Sequence, residues 1–140
     1  MFATNAAAFE SDIWAGSLPA ESAAVFLQSS IPVEGAPYTV EGWVLVNYAM
    51  SVNCSPPRAC YASSQWVYAY ASCSKGVMRE IKRLSLDLNG NAVAESGERV
   101  AYIPFRGSVD RAVVRTLCQP FAYFVRRPWR GRDGDYDSDD

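Results

Sequence analysis

The residues best able to carry chemistry in this 140-residue chain are its four cysteines, Cys54, Cys60, Cys73 and Cys118. The sequence contains no histidine, which excludes serine–histidine and cysteine–histidine catalysis from within the chain and removes the commonest zinc ligand. The acidic residues are scattered rather than paired, and no glycine-rich phosphate loop occurs. We therefore expect a non-enzymatic protein without a cofactor, in which the cysteines are the informative residues.

The spacing of the cysteines separates three uses. Zinc sites bring cysteines in close pairs, whereas here five residues lie between Cys54 and Cys60 and the later gaps are longer. The C-x-x-C motif of redox sites is absent. Disulfides are therefore favoured, and an all-cysteine zinc site is the alternative.

Four cysteines allow three pairings, of which we favour Cys54–Cys60 together with Cys73–Cys118. The first bridge closes a short loop that contains two prolines, and the second ties the end of a central strand to the end of a helix. Two bridges indicate a compartment outside the reducing cytosol. The N-terminal sequence "MFATNAAAFESDIW" has neither a basic region nor a long apolar stretch, so no signal peptide is predicted within this chain.

The cysteines are positioned by segments with the composition of strands. β-branched and aromatic residues predominate in these segments, turn residues separate them, and Asn89-Gly90 predicts a hairpin. The sequence predicts about six strands, over residues 23–30, 38–50, 61–73, 76–88, 92–96 and 99–105. Charges at Arg79, Glu80, Lys82 and Arg83 fall on both faces of the fourth strand, which predicts that this strand lies at an edge.

One helix is predicted after the strands, over residues 108–118. Ser108 can cap its N-terminus, Asp110 favours the positive end of the helix dipole, and apolar residues recur at helical spacing. Strands followed by a helix indicate an α+β domain, with an antiparallel sheet and one C-terminal helix packed on it. The predicted organisation is a loosely attached arm over 1–22, a domain over 23–125 and a disordered charged tail over 126–140.

The overall charge and hydropathy argue against nucleic-acid binding and against a transmembrane segment. The net charge is −2, which gives no reason to expect nucleic-acid binding. No apolar run approaches the length of a transmembrane helix. A polyanion site in the tail is a minor alternative, on the arginines Arg126, Arg127, Arg130 and Arg132.

The order of these motifs resembles the surface-adhesin protein E family of Gram-negative bacteria. The carrying segments are "FLQSSIPVEG", "GWVLVNYA", "ASCSKGVMREIKRLSLDLNGNAV" and "IPFRGSVDRAVVRTLC", within residues 23–119. The positions that match the family's signature are Trp43, Cys73, Asn89, Gly90, Ser108 and Cys118.

The resemblance implies an extracytoplasmic sheet with one packed helix and a Cys73–Cys118 bridge. It also implies binding to host matrix or plasma proteins, and a homodimer. Two departures stand out: Cys54 and Cys60 are additional to the family's pair, and no lipobox cysteine lies near the N-terminus. No ligand-binding residues carry over from the family.

Two groups of residues are candidates for partner binding. The loop between Cys54 and Cys60 would present Pro56, Pro57 and Arg58. The second group, described next, lies on the third predicted strand.

Trp66, Tyr68 and Tyr70 alternate along that strand and therefore share one face of it. They would form either an exposed recognition stripe or the core face beneath the helix, and the core is favoured. The function predicted from the sequence is an exported, adhesin-like binding module that acts by protein–protein contact. The alternative is a structural or accessory subunit of a bacterial envelope complex.

Overall fold

The computed structural model describes residues 15–54 and 60–121. Its sheet is a single antiparallel meander in which each strand pairs with its neighbour in the chain. The strands are β1 (Ala23–Pro32), β2 (Thr39–Asn53), β3 (Tyr61–Ser72), β4 (Val77–Leu86) and β5 (Ala92–Ser96). The predicted α+β class and antiparallel sheet are confirmed, with β1 and β5 at the two edges.

The helix α1 (Val109–Cys118) packs across one face of the sheet, as predicted. The Ser108 hydroxyl accepts a hydrogen bond from Arg111 N at 3.1 Å, which confirms the predicted N-cap. Short 3-10 turns form at Ala15–Ser17, Ala20–Ser22 and Gln119–Phe121. We call the sheet face beneath α1 the helix face and the opposite one the outer face.

The core lies between α1 and the helix face. Alternate residues of β2, including Val40, Val44 and Val46, are buried there against Val113 and Leu117 of the helix. A fully buried valine or leucine side chain stabilises the fold by about 1.5–3 kcal/mol. This period of two in the strands fixes which residues remain on the outer face.

The prediction of a sixth strand over residues 99–105 is wrong. Only Tyr102 forms a bridge to Met78, through backbone hydrogen bonds of 2.8 and 2.9 Å. Pro104, two residues later, has no N–H to donate, so a ladder cannot continue there. This segment runs beside the start of β4 as irregular structure.

Residues 15–22 differ from the loose arm predicted over 1–22. Ala15 is buried in the core, and the Leu18 carbonyl accepts a hydrogen bond from Val109 N at 2.7 Å. A Cβ at Gly16 would lie 2.2 Å from the Asp110 carboxylate oxygens, so only glycine fits this approach. The folded domain therefore includes this turn, which covers the N-terminus of α1.

A β-bulge interrupts the middle of β1. The register passes from Leu27–Val44 to Ser29–Trp43, which leaves Gln28 without a partner on β2. The Ser29 carbonyl oxygen would lie 1.8 Å from a Cβ at Gly42. Glycine at position 42 therefore permits the close approach of the two strands.

Both predicted disulfides are formed. The Cα–Cα distances are 5.3 Å for Cys54–Cys60 and 5.8 Å for Cys73–Cys118, within the usual range. No cysteine is free, so the zinc alternative is wrong. The second bridge joins the end of β3 to the last residue of α1.

Three parts of the chain lie outside the described residues: 1–14, 55–59 and 122–140. The loop candidates Pro56, Pro57 and Arg58 fall within the second part. The tail predicted over 126–140, with its four arginines, falls within the third.

Removal of each bridge should lower the free energy of unfolding, and the loss should be greater for the bridge that closes the longer loop. We expect a loss of up to about 4 kcal/mol for Cys73→Ala/Cys118→Ala and up to about 2 kcal/mol for Cys54→Ala/Cys60→Ala, because the longer loop constrains the unfolded chain more. Urea unfolding followed by circular dichroism measures both. A larger loss for the short-loop variant would contradict this account.

Candidate interaction face

The aromatic residues of β3 lie on the outer face, so the core position favoured from the sequence is wrong. The residues between them, Val67, Ala69 and Ala71, are the ones buried against α1. Trp66, Tyr68 and Tyr70 are half-buried and alternate with these core residues. The structure thus places the stripe where a partner can reach it.

Trp43 of β2 joins the stripe and widens it into a patch. Trp43 pairs with Tyr68 in the sheet register, and their ring centroids are 5.1 Å apart. Tyr68 and Tyr70 meet edge to face, with centroids 6.4 Å apart. These separations lie in the favourable range for aromatic pairs. We call Trp43, Trp66, Tyr68 and Tyr70 the aromatic patch.

The sequence analysis did not select Trp43 as a binding residue. Trp43 lies on the outer face because it alternates with the buried residues Gly42 and Val44. The register of β2 with β3 then places it opposite Tyr68. Neither residue type nor spacing within one strand gives this register. The patch is therefore a property of two paired strands.

A hydrogen bond orients the centre of the patch. The Tyr68 hydroxyl donates to Glu41 Oε1 on the neighbouring strand. This bond to the carboxylate, together with partial burial, raises the pKa of Tyr68 to about 12. Tyr68 is therefore a neutral donor at physiological pH, held in one orientation.

Charged residues border the patch on its β4 side. The Arg79 guanidinium lies over the Tyr70 ring, 5.4 Å from its centroid, and pairs with Glu98. Lys82 pairs with Glu95 at 3.2 Å. On the β1 side the border is apolar, with Phe26 and Ile31 being 51% and 57% exposed.

A second polar arrangement lies beneath α1, on the helix face. Arg83 donates to Glu80 Oε1 at 2.7 Å, to Asp110 Oδ1 at 3.0 Å and to Gln65 Oε1 at 2.6 Å. All four side chains are buried. Asp110 lies in the first turn of α1, so the ion pair joins helix to sheet. We call Gln65, Glu80, Arg83 and Asp110 the buried cluster.

Two tyrosines complete the hydrogen bonding around the buried cluster. The Tyr48 hydroxyl donates to Gln65 Oε1 at 2.7 Å, and the Tyr102 hydroxyl donates to Asp110 Oδ2. Gln65 Nε2 in turn donates to Ser85 Oγ at 3.0 Å. Most polar atoms of the cluster therefore have protein partners in place of water.

The pKa values of Arg83 and of the two tyrosines beside the buried cluster are shifted. Burial alone would lower the pKa of Arg83, but Asp110 and Glu80 outweigh it, and the net shift of this pKa is upward. Burial raises the pKa of Tyr48 to about 12. Burial and the adjacent Asp110 raise the pKa of Tyr102 as well. At physiological pH Arg83 is a guanidinium, and the two phenols beside the cluster are neutral.

The buried cluster shows why the edge position predicted for β4 is wrong. A bulge at Ile81, between the pairs Tyr68–Lys82 and Ala69–Glu80, shifts the side-chain alternation by one residue. Glu80 and Arg83 consequently point to the same face although they are three residues apart. β4 lies between β3 and β5, with this pair inside and Arg79 and Lys82 outside.

No protein-family model, curated protein or solved structure matches this chain. Within residues 15–54 and 60–121, no helix has the length and apolarity needed to cross a membrane. In the same part of the chain, no group of three or more histidine, cysteine or acidic side chains is placed to hold a metal ion.

Replacement of Arg83 should be strongly destabilising. Arg83→Met leaves two buried carboxylates without their cation, and we expect the free energy of unfolding to fall by about 3–5 kcal/mol. The matched control is Lys82→Met, which removes an exposed ion pair on the same strand and should cost less than about 1 kcal/mol. Equal losses in urea titrations of the two variants would show that the buried cluster does not hold the helix.

The raised tyrosine pKa values predict a loss of stability at high pH. Above pH 10 the unfolded chain releases the Tyr48 proton while the native state retains it, so stability present below pH 10 is lost as pH rises toward 12. Tyr48→Phe removes this contribution. The fall of the free energy of unfolding with pH should then be less steep by up to about 1.4 kcal/mol per pH unit. Urea unfolding midpoints of the wild type and of Tyr48→Phe, measured between pH 9 and 11.5, give this pH dependence. The same pH dependence in both proteins would contradict the raised pKa of Tyr48.

Proposed function

We propose that this protein is an exported, non-enzymatic binding module, adhesin-like in character, that acts by protein–protein contact through the aromatic patch. The observation that carries the proposal is the placement of four large aromatic side chains on the face of the sheet opposite its helix. Aromatic residues and arginine are enriched at the centres of protein interfaces.

The geometry of the patch supports recognition of a protein surface. Ring contacts hold Trp43, Tyr68 and Tyr70, and a hydrogen bond to Glu41 also holds Tyr68. These side chains therefore lose little entropy on binding. The tyrosine hydroxyls and the Arg79 border supply polar contacts around an apolar centre. A flat strand surface of this kind suits a broad contact better than a small ligand, which needs a concave pocket.

The proposed export rests on the two bridges. Disulfides form and persist in oxidising compartments, so Cys54–Cys60 and Cys73–Cys118 are compatible with a periplasmic or surface location. The resemblance to the surface-adhesin protein E family favours host matrix or plasma proteins as the partner, and it also favours a homodimer. The competing proposal is a structural or accessory subunit of an envelope complex.

The absence of an enzymatic role is part of the proposal. The titratable residues of the buried cluster have protein partners and are sealed beneath α1, with Arg83 and Asp110 almost fully buried. A group that acts on a substrate must be reachable by it. The cluster is better suited to holding the helix in place.

Truncation of the aromatic patch should weaken partner binding without unfolding the domain. We expect Trp66→Ala and Tyr68→Ala to weaken binding to purified matrix or plasma proteins by at least ten-fold, since central aromatic residues dominate interface energies. The matched control is Phe105→Ala, which removes an aromatic side chain that is 73% exposed and lies outside the sheet. Biolayer interferometry against a panel of such proteins measures the affinities.

The same panel separates the two proposed roles. The adhesin-like module is supported if host proteins bind the wild type and the Phe105→Ala control but not the two patch variants. Binding confined to proteins of the producing cell's envelope supports the accessory subunit. Host-protein binding that both patch variants retain would overturn the proposed role of the patch.

A further inference from the structure

The two edges of the sheet differ in a way that bears on recognition. β5 is five residues long and carries Glu95, with Glu98 and Arg99 following directly. β1 is ten residues long and has no charged residue between Glu21 and Glu34. Most of its side chains are exposed.

Natural sheets usually protect their edges from pairing with other chains. Short strands, charged side chains, prolines and bulges serve this purpose. β5 is protected in the first two ways, because it is short and carries a charged side chain. β1 has only the bulge at Gln28 and a proline at its last position, Pro32. Within residues 15–54 and 60–121, the β1 edge is therefore left open to pairing.

The open edge offers a specific chemistry. β1 pairs with β2 on one side, and no other strand among the described residues pairs with it. Its free side presents alternating backbone donors and acceptors, which only another extended polypeptide complements along its length. Exposed apolar side chains flank this edge on both faces, with Leu27 on the helix face and Phe26 and Ile31 on the outer face.

We propose that β1 binds an extended, uncharged segment of a partner protein by strand addition. The segment's backbone extends the ladder of the sheet, and its apolar side chains alternate so that one set packs beside Phe26 and Ile31. Charged side chains are disfavoured because their burial beside these residues is unfavourable. The inference rests on the proposed function, since it supplies the means by which a partner is held next to the aromatic patch.

The position of the bulge favours a foreign strand over a second copy of β1. Gln28 lies near the middle of β1. In an antiparallel two-fold pair of β1 strands, the two bulges would meet near the centre and interrupt the ladder in both chains. A regular strand from another protein meets one bulge only.

The test uses a synthetic peptide of alternating valine and threonine, with terminal lysines for solubility, added to the ¹⁵N-labelled full chain. We expect the β1 amide resonances to shift and their hydrogen exchange to slow, while those of β5 do not change. The same peptide N-methylated at every residue of its valine–threonine stretch cannot donate hydrogen bonds from either edge and should bind at least ten-fold more weakly. Shifts located at β5, equal binding of the methylated peptide or no binding would each overturn the inference.

Edge variants give an independent readout. Gln28→Lys and Ala24→Lys place a charge on the exposed edge and should each weaken peptide binding at least ten-fold, whereas Gln28→Ala should bind as the wild type does. Unchanged binding by both lysine variants would contradict strand addition. If the wild type forms concentration-dependent dimers and both lysine variants do not, the β1 edge pairs with a second copy of this chain. That result would overturn the proposal that a partner protein occupies it.

The two proposals can fail separately. If strand addition is wrong but the patch binds partners, Gln28→Lys will bind the matrix or plasma protein as the wild type does, while Trp66→Ala will not. If the patch is not the binding site, Trp66→Ala will retain that protein while the peptide still shifts the β1 resonances.

Discussion

The ion pair between Arg83 and Asp110 is the contact on which the arrangement of the molecule depends. It links β4, within the sheet, to the first turn of the only α-helix in residues 15–54 and 60–121, and it is buried from water. An isolated buried charge would be very unfavourable, so the carboxylates of Asp110 and Glu80 both require the Arg83 guanidinium. Cys73–Cys118 ties the opposite end of the helix to the sheet. Both ends of α1 are therefore fixed against one face of the sheet, and no other helix of the described residues covers the opposite face.

The uncovered face then follows from strand alternation. Once valines and alanines are buried beneath α1, the aromatic residues between them must lie outside. The domain thus combines a core of small aliphatic side chains with an outer face of large aromatic ones. Contiguous apolar patches mark interaction sites, whereas apolar residues scattered singly over a surface need no explanation, which is why the proposed function is assigned to the face that carries the aromatic patch.

Much of the framework could be predicted from the sequence, because the signals were local. The Ser108 cap, the Asn89-Gly90 hairpin, five of the strands and the short Cys54–Cys60 bridge depend on neighbouring residues. The Cys73–Cys118 pairing followed from the predicted ends of β3 and α1. The misses depend on register. The bulge at Ile81 put Glu80 and Arg83 on one face, and no pattern within the strand revealed it. Likewise, the alternation of Trp66, Tyr68 and Tyr70 defined a shared face but not which side α1 would cover.

The most direct test of the central claim is hydrogen–deuterium exchange of the full chain, free and bound to a matrix or plasma protein that it captures. The account predicts slower exchange in β1 and in the central parts of β2 and β3 that carry the aromatic patch, with α1 unchanged. Protection confined to α1, or to peptides that cover the loop between Cys54 and Cys60, would contradict the assignment of the outer face as the interaction surface.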